Sequence, residues 1–136
     1  MYEKPFKLQI VTPQRIVFQG EATSLSVPGT QGGFQVLYNH APLVSSLEIG
    51  ELRVKGVDGR DIIYATSGGF VEVNDNAVVV LAETVEATAD IDVQRAKAAE
   101  QRASERLHSK KMEIDEERAR LALMRALNRL RVASHT

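Results

Sequence analysis

Along residues 6–11 apolar and polar side chains alternate, with Phe6, Leu8 and Ile10 on one side and Lys7 and Gln9 on the other. A period of two predicts a half-buried strand. Short runs of the same kind follow at 15–18, 22–27, 34–38, 51–55, 61–66, 70–73 and 77–82. Turn-forming pairs separate them: Pro28-Gly29, Gly32-Gly33, Asp58-Gly59, Gly68-Gly69 and the triplet Asn74-Asp75-Asn76. Many short strands with frequent turns predict an antiparallel sandwich or barrel. No helix-length segment lies between them, which argues against a parallel nucleotide-binding sheet.

After residue 89 the pattern changes. Residues 90–107 are rich in Ala, Gln, Glu, Lys and Arg, strong helix formers. Asp90 is the expected N-cap, with Asp92 adding negative charge to the first turn. A polar break at 108–111 precedes a second predicted helix from about Ile114 to Val132. Acidic side chains at 115–117 open it, and Arg129 and Arg131 close it, an order that suits the helix dipole. Leu123, Leu127 and Leu130 form a stripe, with Leu121 and Met124 alongside. Two helices joined by a short link predict an antiparallel hairpin. The fold class is therefore mixed, a β-sandwich or barrel over residues 1–87 followed by a helical hairpin over 88–136. The first helix offers mainly Ala96, Ala99 and Ala103 as a buried face, so the hairpin is expected to be weakly held and able to rearrange.

Composition supports the division into two modules. All nine glycines and all four prolines precede residue 90. Residues 1–89 carry six basic and ten acidic side chains, a balance of −4; residues 90–136 carry eleven and eight, a balance of +3. The whole chain, 136 residues with a net charge of −1, exerts no global attraction on nucleic acid or an anionic membrane. With no cysteine, disulfides and thiol catalysis are excluded. The longest apolar run, 77–82, is far too short for a membrane helix, and the charged N-terminus does not read as a signal peptide. A soluble product made where it works is expected.

Candidate catalytic groupings are missing. The three histidines, His40, His108 and His135, have no partner at metal-binding spacing, and Ser67 lacks the Gly-x-Ser-x-Gly frame. The 29–33 loop lacks the lysine of a phosphate loop. His40, ahead of Ala41-Pro42, reads either as a loop histidine or as a surface contact. The arginines say more. Arg95 and Arg102 share a helix face, as do Arg125 and Arg129, and an antiparallel hairpin brings Arg95 opposite 125–129. Such a cluster suits a phosphate anion, with Asp92 beside it; the alternative is exposed charge paired weakly with Glu100, Glu105 and Glu117.

Three segments, in order, carry a resemblance over essentially the whole chain. They are Ile10-Val11-Thr12-Pro13, Asn39-His40-Ala41-Pro42-Leu43 and Ser67-Gly68-Gly69-Phe70-Val71-Glu72-Val73. Ile91-Asp92-Val93-Gln94-Arg95-Ala96 adds an Ile/Leu-Asp-x-x-Arg-Ala motif. The chain resembles the epsilon subunits of F-type ATP synthases, bacterial type. Asn39 stands where that family usually has glycine, and Gly33 where a glutamate is common.

The resemblance implies a non-catalytic rotor subunit that couples the membrane ring to the catalytic head and inhibits ATP hydrolysis through a mobile hairpin. No cofactor is required. ATP is a regulatory ligand, with magnesium left open, held by Glu86, Ile91, Asp92, Arg95, Ala96, Arg102, Arg125 and Arg129. The gamma subunit and the c-subunit ring are implied partners, through a loop surface of Gly29, Gly32, Gly33, Phe34, His40, Ala41, Pro42 and Leu43. In the extended state Arg118, Arg120, Arg125, Arg129 and Arg131 would contact the catalytic alpha and beta subunits. No metal site and no nucleic acid are implied. The implied place is the cytoplasmic face of a bacterial plasma membrane, reached only through the complex. The alternative is a free-standing ATP-sensing module of the same fold, which would not need a large partner surface on its sandwich.

Overall fold

A computed structural model describes residues 4–109 and 115–135. Nine strands come first: β1 (Phe6–Val11), β2 (Ile16–Val27), β3 (Phe34–Val36), β4 (Leu43–Leu47), β5 (Gly50–Gly56), β6 (Asp61–Thr66), β7 (Gly69–Asn74), β8 (Ala77–Ala82) and β9 (Val85–Ala87). A single 3-10 turn, Thr88–Asp90, leads into α1 (Val93–His108) and α2 (Glu116–Ala133). The predicted segments at 15–18 and 22–27 are one long strand, β2, and β4 and β9 were not foreseen.

β2 links the two layers. Its first half pairs with β1, from Ala22 opposite Phe6 to Ile16 opposite Val11. Its second half pairs with β5 on one edge and β3 on the other. The register shifts between Ala22 and Ser24, where the strand passes from one layer to the next. One layer is β4-β7-β8-β1-β2 and the other β3-β2-β5-β6-β9. Most pairs are antiparallel as expected, but β1 and β8 run parallel, a long-range pairing that local periodicity does not reveal.

Alternate residues of these strands meet in one core. Phe6, Leu8 and Ile10, with Val71, Val73, Val78 and Val80, pack against Leu25, Val36, Leu52, Val54 and Tyr64. Burial pushes the Tyr64 phenol above its usual 10.0, the Asp90 charge adds to that shift, and Arg15 opposes it.

The hairpin meets the sandwich on the outer face of β6. A second, much smaller core there holds Ala65, Ile91 and Val132, flanked by Ile63 and Ala133. α2 is the helix that packs on β5, β6 and the 3-10 turn. α1 packs along α2, and the residues buried by that pairing include Ala96, Ala103, Ala119 and Ala126, spaced by seven on each helix. The Leu stripe of α2 lies partly open: Leu127 is 46% exposed, and Leu121 and Met124 are also open. One expectation changes here. The N-cap of α1 is Asp92, whose carboxylate accepts the Arg95 backbone N–H at 3.0 Å, while Asp90 belongs to the preceding turn. The predicted start of α2 at Ile114 lies outside the described residues, as do Lys110 and Lys111; Asp115 caps the helix that is described.

Gly69 opens β7 opposite Ala82 with φ +154°. A Cβ there would sit 2.8 Å from Ala82 Cα and closer still to the Leu81 carbonyl oxygen, both fixed by the β7–β8 ladder. Gly69→Ala is expected to destabilise the protein by at least about 2 kcal/mol in urea unfolding, because neither contact can relax without breaking a strand pair.

Candidate functional site

The residues proposed for an anion gather where α1 begins and α2 ends, beside β9. Ile91 is buried against Ala65 and Val132. Asp92 caps α1. Ala96 lies in the seam between the helices. Three of the four named residues of the Ile-Asp-x-x-Arg-Ala motif therefore build the corner from which Arg95 projects. Asp115 caps α2 in the same way, accepting the Arg118 N–H at 3.1 Å, so an Asp-x-x-Arg cap alone does not define a ligand site.

Arg129 Nε donates to Glu86 Oε1 at 2.7 Å, joining α2 to β9. Both side chains are about two-thirds buried, which makes this the tightest ion pair among the described residues. Among those residues Arg95, Arg102 and Arg125 form no ion pair and stand exposed. With about 1.5 Å of rise per residue, Arg102 lies about 10 Å along α1 from Arg95, toward the closed end of the hairpin. Arg95, Arg125 and Arg129 occupy similar levels in the antiparallel pair, and Arg102 is the outlying member. These guanidiniums offer forks for a polyphosphate, and Glu86 already orients one of them.

Residues nominated for the basic surface of α2 divide into two groups. Arg118, Arg120 and Arg125 are exposed. Arg129 is engaged with Glu86, and Arg131 Nη2 donates to Asn128 Oδ1 at 2.9 Å.

The expected loop surface is two loops rather than one. Gly29 pairs with Leu47, and Thr30 bonds to Ser46 through backbone and hydroxyl, so 28–33 lies at the C-terminal end of β4. The 37–42 loop lies at the other end: the Asn39 N–H donates to Asn76 Oδ1 at 2.7 Å, and Asn76 Nδ2 donates to the Pro5 carbonyl at 3.2 Å. Roughly 14 Å of strand separates the two. His40 Nδ1 lies 2.7 Å from the Ala41 carbonyl oxygen, which sets its ring close to the loop backbone. Asn39 adopts φ +56°, the left-handed conformation that a glycine takes easily and asparagine tolerates.

Asn128, Thr88 and Asn76 were missed in the sequence. A signal existed for Asn128, since asparagine is a poor helix former and here stands four residues from both Met124 and Val132, on their helix face.

Two family models cover nearly the entire chain. The ATP synthase Delta/Epsilon chain beta-sandwich domain matches residues 5–88. The Delta/Epsilon long alpha-helix domain matches 89–134. The ATP synthase epsilon chain of Syntrophomonas wolfei is 47% identical over 98% of this chain and 97% of its own. That of Desulforamulus reducens is 48% identical over 96% of this chain and 98% of its own. This chain belongs to the ATP synthase epsilon-chain family.

Solved structures share the fold at low sequence identity. A chain of the Euglena gracilis mitochondrial ATP synthase OSCP/F1/c-ring assembly superposes with a TM-score of 0.83 at 23% identity, over 96% of this chain and 82% of its own. One from the Tetrahymena thermophila central stalk and c-ring gives 0.58 at 12% identity, over 98% and 97%. The epsilon-chain fold therefore tolerates wide sequence change. Asn39, standing where the resemblance puts a glycine before His-Ala-Pro, holds a left-handed backbone that glycine adopts without strain. Asn39→Gly is expected to change unfolding free energy by less than about 0.5 kcal/mol, whereas Asn39→Val should cost about 1–3 kcal/mol through left-handed strain. Urea melts of the two variants check this.

Proposed function

We propose that this chain is the non-catalytic central-stalk subunit of a proton-translocating F-type ATP synthase, seated on the gamma subunit and the c-subunit ring through its sandwich. In this reading the hairpin regulates ATP hydrolysis. Docked on the sandwich and favoured there by ATP, it permits hydrolysis; extended, its basic second helix reaches acidic surfaces of the catalytic subunits and restrains it. The protein works at the cytoplasmic face of the membrane and reaches the bilayer only through the complex; among the described residues no helix is long and apolar enough to cross it.

One observation carries the reading over the free-standing sensor. On the outer face of the β4-β7-β8-β1 layer, Val44 is 72%, Phe70 56% and Leu81 51% exposed. Phe70 lies opposite Leu81, which lies opposite Val11, while Val44 faces Glu72 on the next row. Large apolar side chains left exposed side by side, as Phe70 and Leu81 are, suit a protein interface, which a lone sensor does not need. The charge distribution agrees: docking occupies Arg129 through Glu86, and release would add it to the exposed Arg118, Arg120, Arg125 and Arg131.

The ATPase activity of an alpha–beta–gamma complex, measured with and without this protein, tests the proposal. Stable association is expected, with inhibition that fades as ATP rises. A chain of residues 1–87 should associate without inhibiting, and Arg95→Ala should shift the ATP dependence at least about tenfold upward through loss of a charged contact. Failure to associate would overturn the rotor reading; association with ATP-independent inhibition would overturn the nucleotide switch.

A further inference from the structure

Asn128 is 3% exposed, the one fully buried polar side chain among the described residues of either long helix. Its Nδ2 donates to the Gly50 carbonyl at 2.8 Å and to the Thr66 carbonyl at 3.4 Å. Gly50 and Thr66 face each other at the end of the β5–β6 ladder, so a single amide spans a carbonyl from each strand. Its Oδ1 accepts from Arg131. Both donor hydrogens and one acceptor site of the amide are satisfied in this seat.

The two donor contacts depend on this seat, whereas the Arg131 contact lies within α2 and travels with it. Sliding the helix by one turn would place Met124 or Val132 over the two carbonyls, and neither has a donor. The apolar contacts are less selective, because Ile63 and Ala65 of β6 would bury equally against the Leu and Met side chains elsewhere on α2. A buried amide penalises every wrong register by leaving polar groups unpaired, as a single asparagine does in a coiled-coil seam.

We propose that Asn128 is the positioning residue that fixes where α2 seats on the sandwich, and through that seat holds its neighbour Arg129 against Glu86. The inference rests on the hairpin being the regulatory element, but it concerns how the docked state is defined, not what that state does. A second polar contact works alongside it: the Thr88 hydroxyl lies 3.3 Å from the Ile63 carbonyl and 3.4 Å from that of Val132.

The chain has no cysteine, so Lys7→Cys on β1 and Lys97→Cys on α1 allow a donor–acceptor dye pair to report docking in the full-length protein. Asn128→Leu keeps the side-chain volume and removes the amide. Asn128→Asp keeps the shape and turns an oxygen toward the two carbonyls. The expected result is a fall of about tenfold or more in the ratio of docked to undocked molecules for Asn128→Leu, and a larger fall for Asn128→Asp. The sandwich should melt at an unchanged temperature in both variants, a combination that a purely structural role would not give.

Equal or tighter docking of Asn128→Leu would overturn the proposal, as would an undocked hairpin in the natural chain. Loss of sandwich stability together with docking would overturn it too, since Asn128 would then be part of the fold itself. Adding ATP separates the underlying reading. If ATP fails to raise docking in the natural chain, the nucleotide switch fails, while the comparison of Asn128 variants still decides the role of the amide.

Discussion

Between the outer face of β6 and helix α2 the apolar contact comes down to Ala65, Ile91 and Val132, with Ile63 and Ala133 at the edge. Burying so few side chains is worth only several kcal/mol. The sandwich core, with Phe6, Leu8, Leu25, Leu52 and the valines of β7 and β8, is several times larger and does not include the hairpin. Two unequal cores sharing β6 give the molecule two levels of stability. Polar contacts at the smaller one, each contributing about 1 kcal/mol, therefore carry a large share of the docking free energy. This is why Asn128, Thr88 and the Glu86–Arg129 pair decide where the hairpin sits.

The seam within the hairpin follows a different rule. Alanines at 96, 103, 119 and 126 let the helix backbones approach closely. An Asp-x-x-Arg cap starts each helix. The pair is thereby able to stay together while its contact with β6 opens. On the opposite layer Phe70 and Leu81, with Val44 on the next row, leave apolar surface open, well separated from the hairpin in strand order. The proposed attachment face and the proposed movable element occupy different layers, with β2 running through both.

Local periodicity made most of the fold legible. The β1 alternation, the glycine-marked turns and the change to helix-forming residues after 89 each reflect forces acting over a few residues. What stayed hidden was non-local. β4 and β9 are short strands made by pairing with β7 and β6, and the parallel β1–β8 pair joins segments far apart in the chain. Helix periodicity shows that the Leu stripe is apolar, not what covers it; Asn128, Arg129 and Val132 are residues of α2 that meet the sandwich. In the candidate site, the family motif points to one corner of the fold but cannot divide labour within it. Ile91 and Ala96 pack and Asp92 caps, leaving Arg95 projecting, and the Glu86–Arg129 contact required the tertiary fold.

Native-state amide hydrogen exchange on the isolated, full-length chain tests most directly whether two separable cores exist. The account expects the amides of α1 and α2 to exchange through an opening that leaves β1, β5 and β8 protected, at a free energy well below that of global unfolding. Exchange of the helices and the core strands through one common opening, at the global unfolding free energy, would contradict it.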